Sequence, residues 1–255
     1  MDLNQLAATL DQAAVKAKPI SQLSLTQPFS VEEAYKIQSI SINRRYERGE
    51  KFLGLKLGFT SKAKMEQMGV HDMIWGRLTD GMLLKRDSPL PLGKFIHPRA
   101  EPELCFLVKN KIDKELTLDE VKNYIVGVAP AIEIIDSRYE NFKFSLEDVI
   151  ADNCSSAAFV LGSWQPLDKP IENLKMELII DDEVVETGSS AAILGNPWES
   201  VIAAARLALQ YAKPIPKGAY ILAGAATSAV YLKPGNSVKV VVERLGEAGF
   251  TVSQP

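Results

Sequence analysis

From Phe52 onward the chain breaks into short apolar runs separated by Gly and Pro, and this punctuation constrains the fold more than any other feature. The runs at 52–59, 104–108, 126–135, 159–162, 176–180, 220–222 and 238–242 have the lengths and boundaries of strands. Leu178-Ile179-Ile180 and Val184-Val185 flank Asp181-Asp182-Glu183, which predicts a hairpin turn. Two helices interrupt the strands. One starts at Thr117, with Glu120 completing a capping box; the other starts at Asn196-Pro197 and runs through 203–211. Before residue 50 the pattern is helical. Ser30 and Glu33 form a capping box for a segment reaching about Arg48, with Val31, Ala34, Ile37 and Ile40 recurring at three. The expectation is an α+β protein: an N-terminal helical annex over residues 1–50 and a β-rich core over 51–255.

Charge and composition narrow the partner. A formal net charge of -3 and scattered basic residues give no electrostatic footprint for nucleic acid or an anionic membrane, so a small molecule is expected. Residues 1–20 lack the apolar stretch of a signal peptide and no run approaches a membrane span, which suggests a cytoplasmic protein. Cys105 and Cys154 form no Cys-x-x-Cys pair and read as buried small residues. His71 and His97 are the only histidines, so a histidine-rich metal site is excluded and acid/base work falls to carboxylates or lysines. The glycines follow no phosphate-loop spacing.

In the run His97-Pro98-Arg99-Ala100-Glu101-Pro102-Glu103-Leu104, extended backbone puts Glu101 and Glu103 on one face. Two carboxylates so close repel, and an oxygen-liking cation such as Mg²⁺ or Mn²⁺ relieves them; two acids on a solvated strand face are the plainer alternative. Glu133 interrupts the apolar run 126–135, where an unpaired carboxylate is costly. It needs either Arg138 as an ion-pair partner or a metal shared with Glu101 and Glu103, with Asp136 as a reserve ligand. Lys56 sits in Gly54-Leu55-Lys56-Leu57-Gly58, where it either snorkels to water or is desolvated, with a pKa drawn towards neutrality. Ser61 opens a helix start whose free amides suit an anion. Asp136, Arg138 and Lys143, then Asp152 and Ser155, lie in segments dense in carboxylate-holding and turn-orienting side chains.

These segments together resemble the hydratase/decarboxylase branch of the fumarylacetoacetase superfamily, enzymes of aromatic meta-cleavage pathways. The resemblance is carried by GLKLGFTSKAKMEQMGV at 54–70, HPRAEPELCFLV at 97–108, AIEIIDSRYENFKF at 131–144, ADNCSS at 151–156 and LGNPWESV at 194–201. Within the branch, DSRYENFKF and KAKMEQMGV are similar to members that release CO2 from 2-oxo-3-hexenedioate rather than to those that hydrate 2-hydroxypenta-2,4-dienoate. The resemblance implies a mixed β-sandwich or roll core with flanking helices, Mg²⁺ (or Mn²⁺) held by Glu101, Glu103 and Glu133, and Lys56 as acid/base. It also implies a small 2-oxo dicarboxylate substrate, an oligomeric state and association with the pathway's hydratase. An acylpyruvate-type hydrolase and an inactive binding protein are the more distant alternatives; scarce histidine argues against the hydrolase. Leu222-Ala223-Gly224-Ala225-Ala226-Thr227 departs from the Thr-Gly-Gly or Thr-Gly-Ala turn of relatives, so that Ala223 lacks a hydroxyl that Thr227 or Ser228 would have to replace. Lys143 is the candidate for the substrate's far carboxylate.

Overall fold

The Ser30 signal becomes a helix by forming both bonds of its capping box: the Glu33 N–H donates to Ser30 Oγ at 3.2 Å and the Ser30 N–H to Glu33 Oε2 at 2.8 Å. The structure is a computed structural model that describes residues 2–60, 65, 72–85, 88–211 and 213–254. Helix α1 (Leu3–Lys16) and helix α2 (Val31–Glu47) pack together, and Asp11 is clasped by Arg44 and Arg48. Their inward faces, Leu6 and Leu10 on one and Ala34 and Ile37 on the other, join the same hydrophobic cluster as the sheets.

The strands form two packed sheets. In chain order these are β1 (Phe52–Gly58), β2 (Ile74–Thr79), β3 (Arg99–Val108), β4 (Ile125–Ile135), β5 (Ser156–Leu161), β6 (Lys175–Ile180), β7 (Glu183–Ser189), β8 (Tyr220–Leu222), β9 (Val230–Tyr231), β10 (Ser237–Val242) and β11 (Gly246–Thr251). The larger sheet runs β2-β1-β8-β3-β4-β5, with β9 also paired to β3; the smaller runs β11-β10-β6-β7. Leu104 and Ile132 from the first and Leu178, Val238 and Val240 from the second share one apolar layer. Each such side chain contributes ~1.5–3 kcal/mol through burial. Helices α3 (Leu118–Val121), α4 (Leu146–Ala151) and α5 (Trp198–Gln210) flank this core, giving the expected mixed α+β architecture.

The expected hairpin is present: Asp181 and Asp182 both have positive φ, 52° and 65°, and join β6 to β7. Three strands escaped the sequence pattern, one of them the two-residue β9. β2, Ile-Trp-Gly-Arg-Leu-Thr, is buried at every position, so it shows no alternation. β11, Gly-Glu-Ala-Gly-Phe-Thr, buries only Ala248 and Phe250 and carries two glycines, which weaken the strand signal.

Candidate metal and substrate site

Antiparallel pairing of β3 with β4 sets Glu101 directly opposite Glu133, with Glu103 two residues along on the same face. One carboxylate oxygen from each lies within 4.8 Å of the other two. Glu103 and Glu133 are fully buried, and Glu101 is 8% exposed. Glu103 is aimed by the Gly224 N–H, which donates to its Oε2 at 2.8 Å. Gly224 has φ +104°, and a Cβ there would stand 2.1 Å from Thr60 Oγ1, so only glycine fits this approach.

Lys56 reaches Glu101 and Glu103 across one intervening strand and Glu133 across two. Short β8 lies between β1 and β3, its Leu222 pairing with Lys56 on one side and Cys105 on the other. The Lys56 ammonium lies 3.0 Å from Glu133 Oε2 and donates to the Cys154 carbonyl at 3.1 Å. Lys56, not Arg138, is therefore the ion-pair partner of Glu133. Desolvation pulls the Lys56 pKa down, as the sequence reading expected, but the fields of Glu133, Glu103 and Glu101 outweigh it and raise it. That expectation is corrected: the group is held as an ammonium because carboxylates surround it.

The donor set fits a hard divalent cation. Oε1 of Glu103 and Oε1 of Glu133 are buried without hydrogen-bond partners. Burial, with repulsion from Glu133, pushes the Glu103 carboxyl well up, and burial likewise raises Glu133 against the pull of Lys56. Three converging carboxylates offer all-oxygen donors, which suit Mg²⁺ or Mn²⁺.

The opposite wall is irregular. Asn153, Cys154 and Ser155 all have left-handed backbone, with φ 51°, 54° and 57°. This conformation costs non-glycine residues energy and must be held by its surroundings. Asn153 does the holding: its Oδ1 accepts the Arg77 N–H at 2.8 Å and its Nδ2 donates to the Arg77 carbonyl at 2.9 Å. The Asn153 carbonyl sits against Gly76, where a Cβ would come within 2.7 Å. The turn thereby presents the Cys154 carbonyl to Lys56. Ser155, 3% exposed, keeps an Oγ with no hydrogen-bond partner.

A cavity of about 550 Å³ opens over these groups, lined by Lys56, Arg99, Glu101, Lys143, Ser155 and Ser228 among others. Of the residues grouped from sequence, Lys143 and Ser155 line it. Asp136, Arg138 and Asp152 do not. Arg138 is spent on Asp152 through its Nε and backbone N–H and on the Asp136 carbonyl, and Asp136 accepts the N–H groups of Ile96 and His97 at 2.9 and 2.8 Å. These three therefore brace the loop behind the cavity. Thr227 turns its hydroxyl to the Ser228 carbonyl, and the neighbouring Ser228 lines the cavity instead. Ala223 is fully buried and works through its backbone, donating to Leu104 and accepting from Ser200 Oγ. Ser61 and His71 lie outside the described residues. His97 is occupied by the Ser137 carbonyl at 2.7 Å, and both cysteines are buried and free. Sequence reasoning missed Arg99, although it shares the period-two face of Glu101 and Glu103, and it missed Asn153, for which no periodic signal exists.

The comparisons with known proteins agree with this geometry. Residues 77–253 match the family model described as fumarylacetoacetate (FAA) hydrolase C-terminal. A 4-oxalocrotonate decarboxylase from a Pseudomonas species is 48% identical over 99% of each chain. A 2-keto-4-pentenoate hydratase from Paraburkholderia xenovorans strain LB400 is 35% identical over 95% of this chain and 91% of its own. The solved structure of 4-oxalocrotonate decarboxylase from Pseudomonas putida G7, complexed with magnesium and adipate, superposes with a TM-score of 0.94 at 35% identity, over 99% of this chain and 97% of that one. Similarity along the whole chain, a shared fold and a converged carboxylate set lead to one conclusion: the chain belongs to the fumarylacetoacetate hydrolase family.

Proposed function

We propose that this protein is a magnesium-dependent carboxy-lyase that converts 2-oxo-3-hexenedioate (4-oxalocrotonate) to 2-hydroxypenta-2,4-dienoate and CO2 in aromatic meta-cleavage degradation. The observation that carries the reading is the meeting of Glu101, Glu103 and Glu133 with the Lys56 ammonium at the floor of a cavity that also contains two cationic side chains. The relatives named as decarboxylases, one of them complexed with magnesium and a six-carbon diacid, support it.

In this reading Glu101, Glu103 and Glu133 hold the cation. When bound there, Mg²⁺ supplies Lewis acidity to the 2-oxo acid end of the substrate and makes the ketone an electron sink. The chain's own groups do the rest. Breaking the C5–C6 bond releases neutral CO2 and leaves its electron pair delocalised over C5, C3 and the C2 oxygen as a dienolate. Lys56, fixed as an ammonium by Glu133 and the Cys154 carbonyl, stabilises that charge and delivers a proton to the oxygen. The Ser155 hydroxyl, buried and free of protein partners, is placed to bind the substrate. Phe59, Ile74 and Phe144 supply apolar wall against the substrate's carbon chain. The product is an unstable dienol, so assembly with the hydratase that consumes it, in an oligomer within the cytoplasm, completes the proposal. No described helix is long and apolar enough to cross a membrane.

Incubating the protein with 2-oxo-3-hexenedioate and, separately, with 2-hydroxypenta-2,4-dienoate, each with and without Mg²⁺, tests the reading. CO2 release from the first with no hydration of the second is expected; water addition to the second without CO2 release from the first would replace it with the hydratase reading.

A further inference from the structure

Arg99 and Lys143 are the cavity cations whose placement the proposed chemistry has not used, and Arg99 is the one with ring contacts around it. It lies on β3 two residues before Glu101, so its side chain leaves the same face as Glu101 and Glu103. Its guanidinium lies 4.0 Å from the ring centre of Phe142 and 4.1 Å from that of Tyr231, and its Nη2 donates to the Tyr231 hydroxyl. Cation–π contacts with both rings and the bond to Tyr231 hold the guanidinium beside the cavity, with its Nε still available for hydrogen bonding. Its Nε is buried with no hydrogen-bond partner, and among the described residues no acid forms an ion pair with it. An arginine held rigid, lining a cavity and lacking a carboxylate is a built receptor for one.

We infer that Arg99 is the specificity-determining anchor for the substrate's far carboxylate, so that the site selects dicarboxylic over monocarboxylic 2-oxo acids. The inference rests on the decarboxylase reading for the identity of the substrate, though not for the ligand chemistry. Arg99 and Glu101 stand two residues apart on one face of β3 and line the same cavity, so a diacid whose 2-oxo end lies at the carboxylate triad has a cation along the same wall. Lys143 lines the same cavity but is exposed, and its side chain has no stacking partner among the described contacts. It attracts the anion to the mouth, whereas Arg99 sets the plane of the bound carboxylate. That plane matters because the C5–C6 bond must lie across the conjugated system for its electrons to enter it. As CO2 leaves it becomes neutral, so the attraction to Arg99 falls along the reaction and does not trap the product.

The test uses the Mg²⁺-loaded protein and two probes measured by calorimetry: oxalate, which offers only the chelating end, and 2-oxoadipate, the saturated six-carbon analogue. Arg99→Met is expected to weaken 2-oxoadipate roughly 10- to 100-fold, the scale of a lost charge-assisted hydrogen-bond pair, while leaving oxalate within about twofold. Arg99→Lys should recover only part, because a point charge cannot reproduce the fork. Tyr231→Leu, at an exposed position, should give a smaller loss for 2-oxoadipate alone. Melting temperature reports whether each variant folds, and the conservative Arg99→Lys keeps the test open if Arg99→Met does not. Equal weakening of both probes, no weakening of either, or a larger 2-oxoadipate loss in Lys143→Met than in Arg99→Lys would overturn the assignment. Failure of the wild type to decarboxylate 2-oxo-3-hexenedioate would overturn the proposed reaction instead, since the two-probe comparison does not depend on turnover.

Discussion

The two walls of the cavity are built by opposite means. The β3–β4 wall is regular: pleat and register alone bring Glu101, Glu103 and Glu133 together. The wall formed by Asn153, Cys154 and Ser155 is irregular, three left-handed residues pinned by one asparagine to the backbone of Arg77. The first wall concentrates charge and the second aims hydrogen bonds at what that charge attracts. A regular element places side chains at low conformational cost but only at fixed spacings. An irregular one reaches other positions and must be held there.

The largest expected effects test the regular wall. Glu133→Gln or Glu103→Gln should lower Mg²⁺ affinity by more than the ~10–100-fold typical of losing an outer partner, and abolish turnover with it. Calorimetry with Mg²⁺ checks this, and unchanged affinity in both variants would break the ligand assignment. Next comes the group joining the walls. Lys56→Ala should reduce turnover by ~10²–10⁴-fold while Mg²⁺ still binds, because its proposed work is proton transfer and charge stabilisation. Near-normal turnover would return Lys56 to a purely structural role.

The irregular wall should give smaller and separable effects. Asn153→Ala removes both clamps on a strained turn, with an expected stability loss of ~1–3 kcal/mol and a lower kcat. Asn153→Gly accepts the same left-handed backbone, so it should retain more stability than Asn153→Ala yet share the fall in kcat. If the glycine variant matches wild type in kcat, the clamp does not act on Lys56. The smallest effect is expected at Ser155: Ser155→Ala should raise KM several-fold and leave melting temperature unchanged or slightly higher, since its buried hydroxyl has no protein partner to lose. A further contrast comes from Mg²⁺ itself. At a concentration ~100 times its Kd, the ion should stabilise the wild type by ~2.7 kcal/mol, an effect absent from Glu103→Gln.

The same contrast explains what the sequence disclosed. Glu101, Glu103 and Glu133 were legible because an acid inside an apolar, period-two run is a visible exception. Lys56 was legible for the same reason, but the direction of its pKa was not. That direction depends on β8 bringing β1 within reach of β3, a nonlocal pairing with no local signal. The capping boxes at Ser30 and Thr117 and the hairpin at Asp181-Asp182 were readable because their chemistry is local. Asp136, Arg138 and Asp152 were grouped with the site because a buried ion pair and a ligand-binding pair draw on the same residue types, and sequence does not tell the two apart. The Asn153 turn gave no warning, since its partner Arg77 lies 76 residues away in the chain.

The position of β8 has a consequence for the order in which the protein can be made. Lys56 on β1 and Glu133 on β4 are separated in the sheet by β8 and β3, and β1 joins β3 through residues 220–222, so the sheet has a missing member until that tripeptide is in place. A chain emerging during synthesis can close the β3–β4 hairpin as soon as residue 135 is available, because that contact is local. It cannot draw Lys56 into the sheet until most of the remaining sequence has followed. Glu133 therefore stands in the hairpin before its lysine partner arrives, and β8 insertion is the step that joins them. Such long-range closure is intrinsically slow. A divalent cation present during refolding would neutralise the hairpin early, so refolding of this chain should accelerate with Mg²⁺ where an ordinary late-closing sheet would be indifferent to it.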